Sequence, residues 1–148
     1  MASGTGGPLR LLAEDEEDLR VISAALQDAV GKIGDIHWEQ GPRRLTVALN
    51  RFRWEDGRRR ERVRSALQIG GVLGVKSRNV RREAKRAVIE LLALRFEPAE
   101  APGGCIVFEL AGDGDIRVEV ECIDVILADV SEGWTARSVP QHEELKAP

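Results

Sequence analysis

"RLTVALNRFRWEDGRRRERVRSALQI", residues 44–69, decides the fold of this chain. Leu45, Val47 and Leu49 alternate with other residues in its first half, and Val63, Leu67 and Ile69 keep the same two-residue period in its second. That period belongs to strands with one buried face, and Asp56-Gly57 between the halves is turn chemistry. A two-residue turn would set Arg51 and Arg53 opposite Arg62 and Arg60, which like-charge repulsion disfavours. Sliding the pairing by one residue, with a slightly longer loop, sets Leu45, Val47 and Leu49 opposite Ile69, Leu67 and Ser65, and Arg53 opposite Glu61. The second register is therefore expected. It leaves Phe52 and Trp54 on the other face, beside Arg60, Arg62 and Arg64.

Outward from this hairpin, the runs "DIHWEQ" (35–40), "VLGVKS" (72–77), "LLALRFEP" (91–98), "CIVFELA" (105–111) and "IRVEVECI" (116–123) read as further strands. Turns at Gly41-Pro42, Gly70-Gly71 and Asp113-Gly114 separate them. The segment 14–30 places Leu19, Ile22, Leu26, Ala29 and Val30 on one helical stripe. Its acidic opening, Asp15 to Asp18, suits the partial positive charge of a helix N-terminus without any bound cation. "NVRREAKRAVIEL" (79–91) fits a short helix running into a strand, and "CIDVILADV" (122–130) fits a strand end or a final short helix. Strands that follow one another without intervening helices pair antiparallel. The expected fold is α+β: an N-terminal amphipathic helix with about seven mostly antiparallel strands in a twisted sheet or partly open barrel. A pleckstrin-homology-like split barrel is one candidate topology. A length of 148 residues suits a single domain, expected over 9–137, with flexible ends at 1–8 and 138–148.

Composition narrows the class. Apolar residues at 43% are enough for a core, and no run approaches a membrane span. The start "MASGTGGP" lacks the basic and apolar segments of a secretory signal, so a cytoplasmic location is expected. Cys105 and Cys122 have neither metal-ligand nor redox spacing and are read as free, buried small hydrophobes. The apolar pattern of 105–123 sets Ile106, Phe108 and Leu110 beside Ile116, Val118 and Val120, a register that keeps the two thiols apart.

Several chemical motifs fail on inspection. "GGVLGVKS" (70–77) resembles a phosphate-binding loop but has Val75 where the backbone must bend as only glycine can. "DGD" (113–115) is followed by Arg117 and Glu119, which breaks a calcium-loop pattern. Glu119 and Glu121 share a strand face and read as a solvated pair. His37 and His142 have no local nucleophile, although a spatial meeting of His37 with either cysteine stays open. No metal ligand set, cofactor or catalytic residue is expected.

Charge is the remaining signal. Residues 43–95 hold sixteen Arg or Lys against five acids, leaving six basic residues against twenty acidic ones elsewhere. Aromatics among the arginines of 50–64 have two readings: cation–π pairs that cover apolar surface, or a stacking platform for single-stranded nucleic acid. The candidate binding residues are Phe52, Trp54, Arg60, Arg62 and Arg64. The strings "LLAEDEEDLRVISAALQDAV", "LNRFRWE", "RRRERVRSAL", "GVKSRNV", "LLALRFEP" and "VECIDVILADV" resemble a family of small bacterial proteins known only as a domain of unknown function. The resemblance covers Leu9 to Arg137 and implies a bacterial cytoplasmic domain with no assigned activity. The first functional reading is a non-enzymatic binding module with a protein partner. A nucleic-acid or polyanion binder using the 50–64 hairpin is the second, and a small enzyme with a site assembled from distant strands is the third. Homo-oligomerisation is left open.

Overall fold

The computed structural model describes residues 8–55 and 58–131, and the side chains of 8–53 and 61–130. The elements are β1 (Arg10–Ala13), α1 (Glu16–Ala25), β2 (Val30–Lys32), β3 (Ile36–Glu39), β4 (Arg44–Glu55), β5 (Arg58–Ile69), β6 (Val72–Arg78), β7 (Val88–Pro98), β8 (Gly104–Leu110), β9 (Gly114–Val120) and β10 (Val125–Ser131), with a 3-10 turn at Ile33–Asp35. All recorded pairings are antiparallel. The strand order is β1-β10-β5-β4-β2-β7-β8-β9-β6, with β3 attached to β4 beside that path, so the sheet stays open.

The β4–β5 register is the expected one: Leu45, Val47 and Leu49 face Ile69, Leu67 and Ser65, and Arg53 faces Glu61. A bulge after Arg53 then pairs Trp54 with Arg59. Glu55 then pairs with Arg58, so the slip comes from the extra residue Arg60 in the bulge and not from the longer loop expected. The bulge is how Arg51 and Arg53 avoid Arg62 and Arg60; residues 56–57 lie outside the described residues.

The sheet is larger than seven strands, and the helix is internal. Two short strands, β1 and β2, escape the reading because three or four residues show no period of their own; long-range pairing makes them. Thus Leu12 pairs with Ile126, and Val30 bridges Asn50 and Glu90. At β2 the backbones lie so close that a Cβ on Gly31 would come within 2.8 Å of the Ala48 carbonyl oxygen.

Three further expectations change. Residues 79–87 form turns rather than a helix, and the strand begins at Val88. The final apolar run is β10, not a helix, because Val125 and Leu127 point into the core as a period-two pair. The β8–β9 loop is the three-residue Ala111-Gly112-Asp113, with φ of +88° at Gly112 and +69° at Asp113. Ile106 therefore faces Val118 and Phe108 faces Ile116, so the expected residues share a face in a shifted register. The shift ends β9 at Val120, which leaves Cys122 exposed rather than buried; Cys105 is half-buried, and both thiols are free.

Helix α1 starts where Asp15 accepts a hydrogen bond from the Asp18 N–H at 2.8 Å. Leu19, Ile22 and Leu26 are fully buried, each contributing about 1.5–3 kcal/mol by leaving water. The helix lies on β7, where the Leu94 N–H donates to Ser23 Oγ at 2.9 Å. Leu45, Val47, Leu49, Leu67, Ile69, Val118 and Leu127 complete the same core. Among the described residues, no helix is long and apolar enough to cross a membrane.

Candidate functional site

The β4–β5 hairpin arginines whose side chains are described, Arg51, Arg53, Arg62 and Arg64, find partners within the chain. On the core face, Arg51 Nε and Nη2 donate to the two carboxylate oxygens of Asp129, each at 2.9 Å. Asp129 also accepts from Ser65 Oγ at 2.7 Å and from the Leu9 N–H at 2.8 Å. Burial alone would raise the Asp129 carboxyl's pKa, but the hydrogen bonds from Arg51, Leu9 and Ser65 outweigh it and hold the group below the ordinary carboxylate range. Arg53 donates to Glu61 at 2.7 Å, the pairing that the register demands.

The opposite face behaves in the same way. Arg64 is buried and donates to the buried Asp35 carboxylate at 3.4 Å, while its Nε has no hydrogen-bond partner. The Arg62 guanidinium sits 4.9 Å from the centre of the Phe52 ring, a cation–π contact. Phe52 itself is buried. Of the five candidate residues, the structure thus brings Phe52 and Arg62 together and seats Arg64 inside. The side chains of Trp54 and Arg60 lie outside the described residues.

Residues 76–86 present the contrary case. Lys76, Arg78, Arg81, Arg82, Lys85 and Arg86 share this stretch with one acid, Glu83. Arg78 donates to Asp115 Oδ2 from Nη2 at 2.9 Å. The other five cations are exposed and have no ion pair among the described residues. The sequence held the signal, since one acid cannot neutralise six bases, but the segment's apparent helical stripe concealed it.

Three of these cations border a cleft. A cavity of about 160 Å³ opens between β3, β6 and the turns that follow β6, with Lys76, Arg82 and Lys85 in its wall. Its apolar lining comes from Ile36 and Trp38 of β3, Val75 of β6, Val80 of the turns and Ile116 of β9. The backbone ties both ends: Gly34 N–H donates to the Lys85 carbonyl at 2.9 Å, and Val72 N–H donates to the Arg43 carbonyl at 2.9 Å. Between those ties, among the described residues, β3 pairs only with β4 and β6 only with β9.

The failed motifs have structural homes. "GGVLGVKS" runs into β6. "DGD" spans the β8–β9 turn, where Asp115 accepts from Arg78. Glu119 and Glu121 are exposed, and Glu121 pairs with Arg43. His37 is exposed on β3 and is not hydrogen-bonded to either cysteine, and His142 lies outside the described residues. The Cys105 thiol is pushed up by its burial, which keeps it protonated and a poor nucleophile at neutral pH. Beside it, Arg95 and Arg117 both donate to Glu97, whose carboxyl is held low first by Arg117 and then by Arg95. Among the described residues, no group of three His, Cys, Asp or Glu could hold a metal ion.

No curated protein and no solved structure matches the chain. The model of one family, described as "Protein of unknown function (DUF2948)", matches residues 9–142 of the 148, and the chain belongs to that family, which has no assigned activity.

Proposed function

We propose that the chain is a non-enzymatic binding module of the bacterial cytoplasm that recognises an anionic partner through the cations of residues 76–86. The observation that carries this reading is the imbalance between the two basic regions. Arg51, Arg53 and Arg64 of the hairpin meet acids of the same chain, whereas Lys76, Arg81, Arg82, Lys85 and Arg86 meet none among the described residues. Unpaired exposed charge of one sign raises the local concentration of opposite charge and speeds encounter. Two free thiols suit a reducing compartment. An acidic protein segment is the preferred partner, since the chain as a whole carries a net charge of -3, unlike most nucleic-acid domains.

The second basic-aromatic surface, the hairpin with Phe52, Trp54, Arg60, Arg62 and Arg64, keeps one observation in its favour as a nucleic-acid platform: Arg62 is exposed beside an aromatic ring. Titration with polyglutamate and with a single-stranded oligonucleotide, each at two salt concentrations, separates the surfaces. Saturable polyglutamate binding that disappears in the triple variant Arg81→Glu, Arg82→Glu, Lys85→Glu and survives in Arg62→Glu is the expected result. Oligonucleotide binding that is stronger than polyglutamate binding, and is lost in Arg62→Glu but kept in the triple variant, would transfer the function to the hairpin.

A further inference from the structure

We infer that the cleft between β3 and β6 is a pocket for a small amphipathic anion: an apolar body about the size of one aromatic ring, bearing a carboxylate. The inference rests on the anion-binding reading above and adds the chemistry and size of the ligand. Three observations carry it.

The first is volume. The cavity measures about 160 Å³, and an apolar cavity of roughly 150 Å³ accommodates benzene. A single ring or a short branched chain fills it, whereas a folded partner's face does not enter. The second is the division of its wall. Ile36, Trp38, Val75 and Val80 pack against the core and give the cleft an apolar floor. Lys76, Arg82 and Lys85 sit in the same wall, exposed and without carboxylate partners among the described residues. An apolar floor under a cationic rim selects a ligand with the reverse arrangement, since each half alone would leave either charge or apolar surface uncovered.

The third observation is how the cleft is kept open. The backbone bonds at Gly34–Lys85 and Val72–Arg43 pin its two ends, while the cleft-side edges of β3 and β6 remain without a strand partner among the described residues. Alternate N–H groups on an unpaired strand edge point sideways and are ready donors for a carboxylate. The pocket is therefore preformed, and a ligand entering it has little ordering of the chain to overcome.

The test uses phenylacetate as the probe and phenylacetamide as its uncharged twin, followed by amide chemical shifts of the full chain. Phenylacetate is expected to bind saturably and to shift the amides of Ile33–Trp38, Val75–Ser77 and Val80–Lys85. Phenylacetamide is expected to bind about tenfold more weakly, because it loses the charge-assisted hydrogen bonds. The double variant Arg82→Ser, Lys85→Ser changes only exposed side chains; it should weaken phenylacetate by about tenfold and leave phenylacetamide unchanged. Equal affinity for the two probes, or shifts scattered away from β3 and β6, overturns the pocket. Polyglutamate binding without any phenylacetate response also overturns it, while leaving the basic-surface reading intact. Loss of both responses removes the two together.

Discussion

The β4–β5 hairpin and the turns between β6 and β7 are the two basic stretches of this chain, and they differ in what faces them. The hairpin holds its arginines on long paired strands, where register decides every neighbour. Arg53 is opposite Glu61, Arg51 reaches Asp129 of β10, and Arg64 reaches Asp35. The turns hold Arg81, Arg82, Lys85 and Arg86 on backbone outside any strand, and Lys76 near the end of β6 lies opposite another cation, Arg117, so nothing of opposite charge is delivered to these five among the described residues. Arginine density alone therefore does not mark a binding surface. An arginine is available to a partner only where the fold has not already supplied its anion.

If that contrast holds, removing the hairpin's acids should hurt the fold most. Asp129→Ala leaves the Arg51 guanidinium, with 9% of its side chain exposed, without its bidentate partner, and strands Ser65 Oγ and the Leu9 N–H as well. Breaking a buried pair from one side costs about 3–5 kcal/mol, so the urea midpoint should fall steeply. A loss below about 1 kcal/mol, of the size typical for a surface substitution, would show that the hairpin's charge is not internally held.

The Arg64–Asp35 pair should give a smaller version. Its single hydrogen bond is long, at 3.4 Å, and Arg64 Nε is already unsatisfied. Asp35→Ala is expected to cost about 1–3 kcal/mol, mainly by leaving a buried cation uncompensated. Combining it with Arg64→Met should recover part of that loss, because the apolar replacement removes the stranded charge. A double-mutant cycle that shows simple additivity would contradict the pairing.

Acid provides a milder probe of the same end of the hairpin. The Asp129 pKa is lowered in the folded chain. Its contribution to stability is therefore complete above the ordinary value near 3.8 and is lost as pH falls through the folded value. Wild type should lose stability on acidification below about pH 4, and Asp129→Asn should show a shallower loss over that range. An Asn variant with an unchanged acid limb would assign the pH dependence to other carboxylates.

The residues explain what was legible. The register of β4 on β5 could be read because two constraints agreed: the apolar alternation of Leu45, Val47 and Leu49 and the avoidance of facing arginines. β1 and β2 could not be read, since a strand of three or four residues exists only through partners distant in the chain, such as Ala128 for Arg10. Arg64 was visible as a charge on the aromatic face, but its partner Asp35 is 29 residues away, in a turn that brings it onto that face. The cleft was least legible. Trp38, Val75 and Val80 come from separate segments, and no spacing rule announces that β3 and β6 stop short of pairing.

The smallest expected effect is the sharpest test of the contrast. Arg81→Ser, Arg82→Ser and Lys85→Ser, made together, remove three exposed cations that have no ion pair among the described residues. By the hairpin's logic such a loss should destabilise, yet here each substitution should stay within about 0.5 kcal/mol. The triple variant should unfold within about 1.5 kcal/mol of wild type, and relief of repulsion between neighbouring cations favours a slight gain. The comparison requires this near-silence in stability to coincide with lost polyglutamate binding, because charge kept without a structural partner is then accounted for by an external one. A fall as large as that of Asp129→Ala would mean that these cations hold the fold together, and the two basic stretches would no longer differ in kind.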